Sequence, residues 1–580
     1  MKTRRFASAV GCIALLLSGC GSGPSAAKYK AGEYTATAAG RNGDVTLHVT
    51  FTSDKIEKIT TENQETQGIG AAAIDTLIQE TIDNQAVPAD MVSGATISSN
   101  AYVTALKDAI AQAGGTVATA WASAEGNDYS TTDADVIIVG GGAAGMTAAV
   151  TLADRGDSVI LLEKSDNLGG NTPAAANGIN AADSQVQLND QQYKDAGASV
   201  EGLENLQSQN TEARKNLVDA FAENSGSVID WMNSDLGVDF KVDIKEDPRN
   251  AVQNCYMLQA DADGSTGITL TNAMETALSK RDVTVYKNTD AISLITQDDQ
   301  VTGIKADCDD GQEREFTGKA VLLATGGFGH NQELLAKVNP KLANATTDEI
   351  APTTGEGLLM AQAVGAKAVD LDAIQTFPVV ISGYGMCIPN KLPGGMSLDG
   401  AVIVNDNAER FTAEQFEAGD AILQQPNGDA YMIFGENDLN DDMKQIMSAG
   451  YVQEADSLSE LGEKLGIDGD TLAKTVSAYN DDIADGTDDA YGRQNPTAVD
   501  ASGKVYGFKY GVGAHYFMGG ILIDENTHVL DEQEQPIAGL YAAGEVTGGF
   551  HGTQRIDGSG IGDSFVFGRI AGNAIASALK

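Results

Sequence analysis

The sequence predicts an α/β protein with a Rossmann-like domain, preceded by a small α+β domain. Two patterns carry this prediction. Between residues 135 and 163 an apolar strand, a glycine-rich loop, a helix and a second apolar strand follow one another, which is the order of a βαβ unit with parallel strands. Between residues 34 and 111, alternating strand patterns precede two helical patterns. The length of 580 residues suits about three compact units.

Composition and charge exclude several classes of protein. Hydrophobic residues make up 42 % of the chain, which argues against disorder. The 82 acidic and 37 basic residues give a net charge of −45, which would repel a nucleic-acid backbone, so we expect no nucleic-acid partner. The histidines form no HExxH and the cysteines no CxxC pattern, so we predict neither a metal site nor a c-type haem. The scattered Cys255, Cys308 and Cys387 are expected to be buried thiols.

The N-terminus predicts export. The basic residues Lys2, Arg4 and Arg5 precede an apolar run over 6–17, which is too short to span a bilayer and has the proportions of a secretory signal. Leu17-Ser-Gly-Cys20 then resembles the lipobox of bacterial lipoproteins. The resemblance implies that residues 1–19 are a cleaved signal peptide and that a lipid on Cys20 tethers the protein outside the cytoplasmic membrane. An ordinary signal peptide cut near Ser18 is the alternative.

The small α+β domain is predicted over residues 29–115. Strand patterns over 34–37, 45–51 and 56–61 precede helical patterns over 71–82 and 99–111. Between the helices stands Asp90-Met-Val-Ser93-Gly-Ala-Thr96, which by itself is compatible with a turn and a helix cap. In this setting it resembles the motif of the FMN-binding domain family, in which the last threonine carries FMN through a phosphoester. The resemblance implies covalent FMN on Thr96, with Ser93 in the same site and a flavin transferase as partner. Residues 116–132, rich in Ala, Ser, Thr and Asp, are predicted to be a linker.

The glycine-rich loop predicts a dinucleotide site. The strand over 135–139 leads into Gly140-Gly-Gly142-Ala-Ala144-Gly145, a helix over 143–155 and a strand over 158–162. Such glycines let a pyrophosphate approach the helix N-terminus. Glu163, 18 residues after Gly145, stands where an acid accepts hydrogen bonds from the adenosine ribose. NAD and FAD share this pattern.

Further segments favour FAD. The segments 168–172, 322–328, 354–357 and 539–545 resemble the FAD contacts of the fumarate reductase and succinate dehydrogenase flavoprotein family, in particular its flavocytochrome c and urocanate reductase-like members. The resemblance implies a non-covalent FAD in a discontinuous FAD-binding domain, residues 133–370 and 513–580, interrupted by an α+β capping domain over 371–512. The cofactor-binding residues that it implies for the FAD site are Gly140, Gly142, Ala144, Gly145, Glu163, Lys164, Gly170, Asn171, Thr172, Thr325, Gly326, Gly327, Glu356, Glu545, Ser559, Gly560 and Ile561.

The same resemblance implies one carboxylate-binding residue. The run Gly544-Glu-Val-Thr-Gly-Gly-Phe-His-Gly-Thr-Gln-Arg555 is similar to the family signature whose arginine holds a substrate carboxylate, and a guanidinium suits that task. The chain departs from the family where histidines hold a second carboxylate, because Phe377 and Tyr516 stand there. Residues 393–398 and 412–420 lack the family's proton-path residues and catalytic arginine.

These departures decide the predicted substrate. A desolvated carboxylate without a partner costs several kcal/mol, so fumarate is not favoured. One carboxylate clamp beside aromatic side chains suits a mono-carboxylate such as a cinnamate- or urocanate-like enoate. The resemblance implies hydride delivery from FAD N5 to the β-carbon while an acid protonates the α-carbon. An attached flavin that accepts single electrons suits a relay through FMN from a quinol- or NADH-dehydrogenase-linked membrane donor. The predicted catalytic residues are Arg555, His515, and Tyr384 or Tyr516 as proton donor; the two tyrosines are otherwise pocket walls.

Two other functions stay open at this point. The same scaffold serves FAD-dependent enone reduction or dehydrogenation of the ketosteroid type. A flavin carrier without a substrate would transfer electrons alone. The appended flavin domain and Arg555 favour the reductase.

Overall fold

The computed structural model describes residues 29–39, 44–63, 70–85, 87, 96–114, 127–175, 178–209, 212–242, 256–260, 265–381, 385–386, 400–414, 418–439, 441–448, 450–493 and 495–580. Several predicted features lie outside these residues, namely the signal peptide with Cys20, Ser93, residues 116–126, Cys255, Tyr384, Cys387 and residues 393–398, and so does the side chain of Thr96. Within the described part of the chain, no helix is both long and apolar enough to cross a membrane.

The small N-terminal domain is a three-stranded antiparallel sheet with two helices, as predicted. Its elements are β1 (Gly32–Ala39), β2 (Asp44–Phe51), β3 (Ile56–Glu62), α1 (Gly70–Asn84) and α2 (Thr96–Gln112). The sheet order is β1-β2-β3. The inward residues of the strands and the helix faces form one apolar core, in which Tyr102 is fully buried and donates a hydrogen bond to Thr81 Oγ1 at 2.8 Å. Thr96 is the first residue of α2.

The first part of the large domain contains a βαβ unit followed by helical and antiparallel excursions. Its elements are β4 (Val136–Val139), α3 (Ala143–Arg155), β5 (Val159–Leu162), β6 (Ile179–Asn180), α4 (Gln185–Asn189), α5 (Gln191–Asp195), α6 (Val200–Gln207), α7 (Lys215–Asp235), β7 (Lys241–Val242), β8 (Met257–Gln259), α8 (Thr266–Ser279), β9 (Val283–Tyr286), β10 (Asp290–Gln297), β11 (Gln300–Asp307), β12 (Glu313–Thr317), β13 (Ala320–Leu323), α9 (Gln332–Val338), β14 (Thr346–Thr347), α10 (Glu356–Ala363) and β15 (Ala368–Val369).

The middle of the chain forms the predicted α+β insertion, and the chain then returns to the large domain. The insertion contains β16 (Ile374–Ile381), β17 (Gly385–Met386), β18 (Val402–Val404), α11 (Ala418–Leu423), β19 (Asp429–Gly435), α12 (Asp441–Ser448), β20 (Gln453–Ala455), α13 (Leu458–Leu465), α14 (Gly469–Asp482) and β21 (Val505–Phe517). The last elements are β22 (Gly520–Leu522), β23 (His528–Leu530), β24 (Pro536–Ala542), β25 (Thr547–Gly548) and α15 (Ser559–Ala578).

A six-stranded sheet confirms the α/β class. Its order is β23-β24-β13-β4-β5-β9, and every pair except β23–β24 is parallel. Strands β4, β5 and β13 are buried at every position, as expected for a parallel sheet covered on both faces. Helix α15 packs along α3, and glycine at position 568 permits this because an added Cβ would lie 2.6 Å from the carbonyl oxygen of Ala144.

The inserted domain is connected to the large domain through one long strand. Strand β21 pairs with β16 and β19 in the inserted sheet, and it also pairs with β14 of the large domain at Gly513 and Ala514. The strand therefore runs through the predicted boundary at 512/513. Its C-terminal end brings His515 and Tyr516 from the inserted sheet to the large domain.

A buried cluster of four charged side chains stabilises the inserted domain. Arg410 donates to Glu414 at 2.8 Å and to Asp488 at 2.9 Å, and Arg493 lies 3.6 Å from Glu414. The acidic side chains are fully buried, whereas the arginine side chains are at most 6 % exposed. The cluster fixes residues 410–414 against residues 488–493.

The end of the predicted linker is packed onto the large domain. Tyr129 lies against Tyr286 and Phe316, with ring centroids 4.8 and 6.1 Å apart, and its hydroxyl is 2.7 Å from Thr289 Oγ1. Of the three cysteines predicted to be buried, Cys308 is described, and it is a buried free thiol.

Candidate active site

The glycine-rich loop after β4 contains glycines that the protein itself requires and one, Gly142, that leaves room for a ligand. A Cβ on Gly140 would lie 2.2 Å from the oxygen of Ala324, and one on Gly145 would lie 1.9 Å from the oxygen of Gly140. These two positions exclude side chains because backbone segments meet there. Among the described residues, a Cβ on Gly142 would meet one atom within 4 Å, the oxygen of Gly169 at 3.8 Å, so the described structure leaves the space in front of Gly142 open.

The N-terminus of α3 is suited to an anion. The N-cap residue Gly142 has no side chain to cap the helix and no acidic residue occurs in the first turn, which includes Ala144, so backbone N–H groups of this turn can meet an anion. The Ala143 N–H donates to Thr172 Oγ1 at 3.1 Å, and Glu163 accepts a hydrogen bond from the Gly141 N–H at 2.7 Å. The two predicted residues Glu163 and Thr172 thus hold the loop in place.

A second glycine turn lies beside the first. Gly142 and Gly169 form a parallel bridge, and Gly169 and Gly170 have φ of +108° and +54°. Such left-handed backbone favours glycine. Asn171, which follows, donates to Glu349 at 3.1 Å and accepts from the Ile350 N–H at 2.9 Å. The predicted segments 140–145 and 169–172 are therefore brought together.

The predicted Lys164 and Glu356 also meet. Lys164 Nζ lies 2.9 Å from Glu356 Oε2 and 2.7 Å from Thr354 Oγ1, and Thr354 donates to the same carboxylate. Lys164 directly follows Glu163 at the end of β5, whereas Glu356 begins α10. The contact places the segment 354–357 beside the end of β5, next to Glu163.

The segment after β13 contains a buried hydroxyl and two glycines that show whether an FAD fits here. Thr325 Oγ1 is buried and has no hydrogen-bond partner in the part of the chain that the structure describes. A buried polar atom without a partner is costly and points to a missing ligand. Gly326 has φ of +73°, and a Cβ on Gly327 would lie 2.6 Å from the ring of Phe517. Together with the open space at Gly142 and the uncapped helix, these features fit an FAD.

The C-terminal helix α15 begins with the last predicted cofactor residues. Ser559 is fully buried, and its hydroxyl contacts Asn180 Nδ2 at 3.0 Å and the amide of Gln207. The Ser559 side chain therefore makes its hydrogen bonds within the protein. The helix N-terminus, with Gly560 and Ile561 in its first turn, has no side-chain cap, so it is the backbone here that can reach a cofactor.

Two carboxyl groups that sequence reasoning did not combine lie together at this site. Glu349 is 8 % exposed, accepts from the Gly329 N–H at 2.8 Å and from Asn171, and lies close to the carboxyl of Glu545. Glu545 accepts from the Phe517 N–H at 3.1 Å. Burial, and then the neighbouring carboxyl, raise the pKa of Glu349 well above its usual range, and burial raises the pKa of Glu545 to about 7. Glu349 was missed because it lies in a loop without a periodic pattern or motif.

Arg555 and His515 lie next to each other in the structure. Arg555 Nε donates to Gln375 Oε1 at 2.7 Å, and Nη2 lies 3.4 Å from His515 Nε2. His515 Nδ1 is 2.8 Å from Asp348 Oδ2. Since a guanidinium only donates, this arrangement has the His515 proton on Nδ1, facing Asp348, with Nε2 accepting. The ring of Phe377 lies 4.1 Å from that of His515.

Tyr516 is held in a buried polar group. Its hydroxyl lies 3.2 Å from both His551 Nε2 and Asp563 Oδ2, and the Arg555 guanidinium lies 4.7 Å from its ring centre. Burial, and then the charge of Asp563, raise the pKa of Tyr516 well above 10. Because an effective general acid has a pKa near the working pH, this environment favours Tyr516 as a pocket wall. Tyr384, the other predicted donor, lies outside the described residues.

Comparisons with known proteins agree with the two flavin domains. The chain matches the FAD binding domain family over residues 135–561 and the FMN-binding domain family over residues 40–111. It is 32 % identical to a urocanate reductase of Eggerthella lenta, covering 97 % of this chain and 96 % of that protein. It is 31 % identical to an NADH:fumarate oxidoreductase of Klebsiella pneumoniae, covering 95 % of this chain and 59 % of that one. A solved open conformation of a flavocytochrome c3 fumarate reductase is similar with a TM-score of 0.69 and 31 % identity, covering 77 % of this chain and 78 % of that one.

Proposed function

We infer the function from one premise: the chain belongs to the FAD-dependent family that includes fumarate and urocanate reductases, and it has an FMN-binding domain in addition. It is an oxidoreductase that reduces the C=C bond of an unsaturated carboxylic acid and needs an electron donor. We propose a mono-carboxylate as the substrate, namely a cinnamate- or urocanate-like enoate. When bound, FAD supplies hydride from N5. Gly142, Gly170, Thr325 and the N-termini of α3 and α15 would hold it.

The proposed substrate is supported by a carboxylate clamp built on one arginine, Arg555. Arg555, positioned by Gln375 at 2.7 Å, supplies the fork that binds one carboxylate. His515, fixed by Asp348, lies beside it as a second polar contact. The positions that would hold a second carboxylate are Phe377 and Tyr516, which offer no positive charge. An apolar or aromatic substrate tail suits them better than a second carboxylate does.

The experiment that tests this proposal uses the purified protein with both flavins, reduced without oxygen. Urocanate, cinnamate, fumarate and a steroid enone are added separately, and flavin reoxidation is followed by absorbance. Rapid reoxidation by a mono-carboxylate supports the proposal. Reoxidation by the enone alone would favour the ketosteroid type of chemistry, and reoxidation by none of them would favour an electron carrier.

We also propose how the electrons arrive. FMN attached to Thr96, the first residue of α2, relays electrons to FAD from a membrane donor linked to quinol or NADH oxidation. A flavin transferase attaches the FMN outside the cytoplasm, where the lipid on Cys20 tethers the protein. The sequence motifs at Thr96 and Cys20 and the FMN-binding domain support this part. Mass spectrometry of the native protein tests it, because it should find FMN on a peptide containing Thr96 and acyl chains on Cys20. Unmodified peptides would overturn it.

A further inference from the structure

Asp348 and His515 form a hydrogen-bonded pair beside the carboxylate clamp. Strand β14 pairs in parallel with β21, and in this register Thr347 lies opposite Ala514. The Thr347 hydroxyl also donates to the carbonyl oxygen of Ala514 at 2.7 Å. The next residue of each chain segment is therefore brought beside the other, and Asp348 Oδ2 lies 2.8 Å from His515 Nδ1. The pairing of the two strands thus fixes the position of this pair.

Three contacts determine which atom of the His515 ring a ligand can meet. Nδ1 faces Asp348, and the ring of Phe377 stands at 76° to the imidazole with the centroids 4.1 Å apart. Nε2 lies 3.4 Å from Arg555 Nη2. Since Nδ1 is committed to Asp348, Nε2 is the nitrogen that can meet a ligand. This atom lies next to the guanidinium of the proposed carboxylate clamp.

The charges around His515 favour a neutral ring while the clamp is empty. Among the described residues, the charged side chains in contact with His515 are Asp348 on one side and Arg555 on the other. The guanidinium repels a second positive charge and can only donate, so Nε2 accepts. Asp348 Oδ1 is buried without a hydrogen-bond partner in the described structure, and its side chain is 9 % exposed. A neutral histidine therefore compensates this carboxylate only in part. The other titratable groups at this end of β21 contact one another, namely Tyr516, His551 and Asp563.

We propose that His515 is a second arm of the carboxylate clamp, which becomes charged when the substrate binds, and that Asp348 is its positioning residue. This rests on the proposed function. When a substrate carboxylate binds to Arg555, its negative charge offsets the guanidinium, and His515 takes up one proton from solvent at Nε2. The imidazolium then donates to the carboxylate through Nε2 and to Asp348 through Nδ1. The proton returns to solvent when the product leaves.

The geometry requires this proton if His515 is to hold the carboxylate. A neutral imidazole has one N–H group, and here that group faces Asp348. Without a further proton, the lone pair of Nε2 and a carboxylate oxygen would face each other as two acceptors. Charge is balanced in both states, because the empty clamp has Asp348 and Arg555 as one pair of opposite charges and the occupied clamp has two such pairs.

Proton uptake on ligand binding tests this proposal without turnover. The protein with both flavins oxidised is titrated calorimetrically with 3-phenylpropanoate and with 3-(2-furyl)propanoate, saturated acids whose tails do not titrate. Buffers of the same pH and different ionisation enthalpy give the number of protons taken up. At pH 8, where an isolated histidine is mostly neutral, the wild type should take up as much as one proton per ligand. Its affinity should fall by as much as about tenfold per pH unit above this.

Two variants and a matched control identify the group that takes up the proton. His515→Gln should bind without proton uptake, and Asp348→Asn with much less than the wild type. Both should bind about 10–150-fold more weakly at pH 7, since each loses a hydrogen bond to a charged group. The control is His528→Gln, because His528 forms a comparable pair with Asp524, at 2.9 Å, and lies against Tyr541. It should keep the wild-type affinity and proton count.

Wild-type binding without proton uptake would overturn the proposal and leave the Arg555 clamp intact. Uptake that persists in His515→Gln would also overturn it, because another group would then be titrating. If neither acid binds to the wild type, the proposed mono-carboxylate function fails, and the proposal fails with it. The flavin absorbance of each variant shows whether FAD is retained. If Asp348→Asn loses FAD, the comparison of His515→Gln with His528→Gln decides.

Discussion

The open space at Gly142 is a sharp test of the cofactor site. Gly142 has φ of −75° and ψ of −173°, values that alanine adopts readily. The nearest atom to an added Cβ is the oxygen of Gly169 at 3.8 Å, an ordinary contact. Gly142→Ala should therefore leave the FAD-free protein intact. Only a pyrophosphate that approaches the loop would meet the new methyl group.

The magnitude follows from the hydrogen bonds that this methyl group would displace. A hydrogen bond to a charged group contributes about 1.5–3 kcal/mol, and moving the pyrophosphate off the loop would cost roughly two of them. The loss of about 3–6 kcal/mol corresponds to FAD binding weakened by about 10²–10⁴-fold. Gly145→Ala should act differently, because its Cβ would lie 1.9 Å from the Gly140 oxygen. That change should damage folding itself.

The assay is calorimetric titration of FAD into the FAD-free protein, with thermal unfolding of the same samples. The matched control is Gly156→Ala at the other end of α3, where φ is +89° and no atom of the described residues lies within 4 Å of the Cβ. The control should lose about 1–2 kcal/mol of stability and keep FAD affinity. Wild-type FAD affinity in Gly142→Ala, or an unfolding temperature below that of the control, would refute the reasoning.

Three further predictions concern the clamp, the acid pair and the inserted domain. Arg555→Gln should lower kcat/KM by about 30–5000-fold, because removing one partner of a buried charge pair costs about 2–5 kcal/mol, and Arg555→Lys should lose less; equal values for all three proteins in steady-state assays would contradict the clamp. Burial raises the pKa of Glu545 from 4.5 to about 7, so its contribution to the stability of the FAD-free protein is full below pH 4.5 and is lost, by about 3 kcal/mol, as the pH rises through 7. The free energy of unfolding, measured with a chemical denaturant across this pH range, should therefore fall less in Glu545→Gln than in the wild type. An equal fall in both proteins would count against the pKa shift. Arg410→Met should destabilise the inserted domain by about 3–5 kcal/mol, because it leaves Glu414 and Asp488 buried without their main partner; a melting profile like that of the wild type would show that the cluster is dispensable.

Local patterns predicted the elements that hold the cofactor. The helix predicted over 143–155 is present as Ala143–Arg155, because the preceding glycines and the following Gly156, a left-handed C-cap, mark both ends in the sequence. The two helices of the small domain were predicted slightly too short, since α2 begins at Thr96 and α1 ends at Asn84. Apolar spacing identifies helix faces, whereas polar terminal turns carry little of this signal.

The polar contacts across the site could not be predicted in this way. Glu349 meets Glu545 because β14 pairs with β21 and the chain then returns through the large domain. Tyr516 meets Asp563 for a similar reason, as the end of β21 lies beside α15. Such pairs join residues far apart in the chain, and neither partner has a local pattern that names the other. The family resemblance supplied Glu545 and Arg555 as single residues, without their partners.

We propose that this reductase takes a mono-carboxylate through the Arg555 clamp. A competition measures this most directly: limiting reduced protein is mixed anaerobically with equal concentrations of urocanate and fumarate, then of cinnamate and fumarate, and the products are quantified by mass spectrometry. We predict that the reduced mono-carboxylate is the main product in at least one mixture and that succinate is minor. Succinate as the main product in both mixtures would contradict the account.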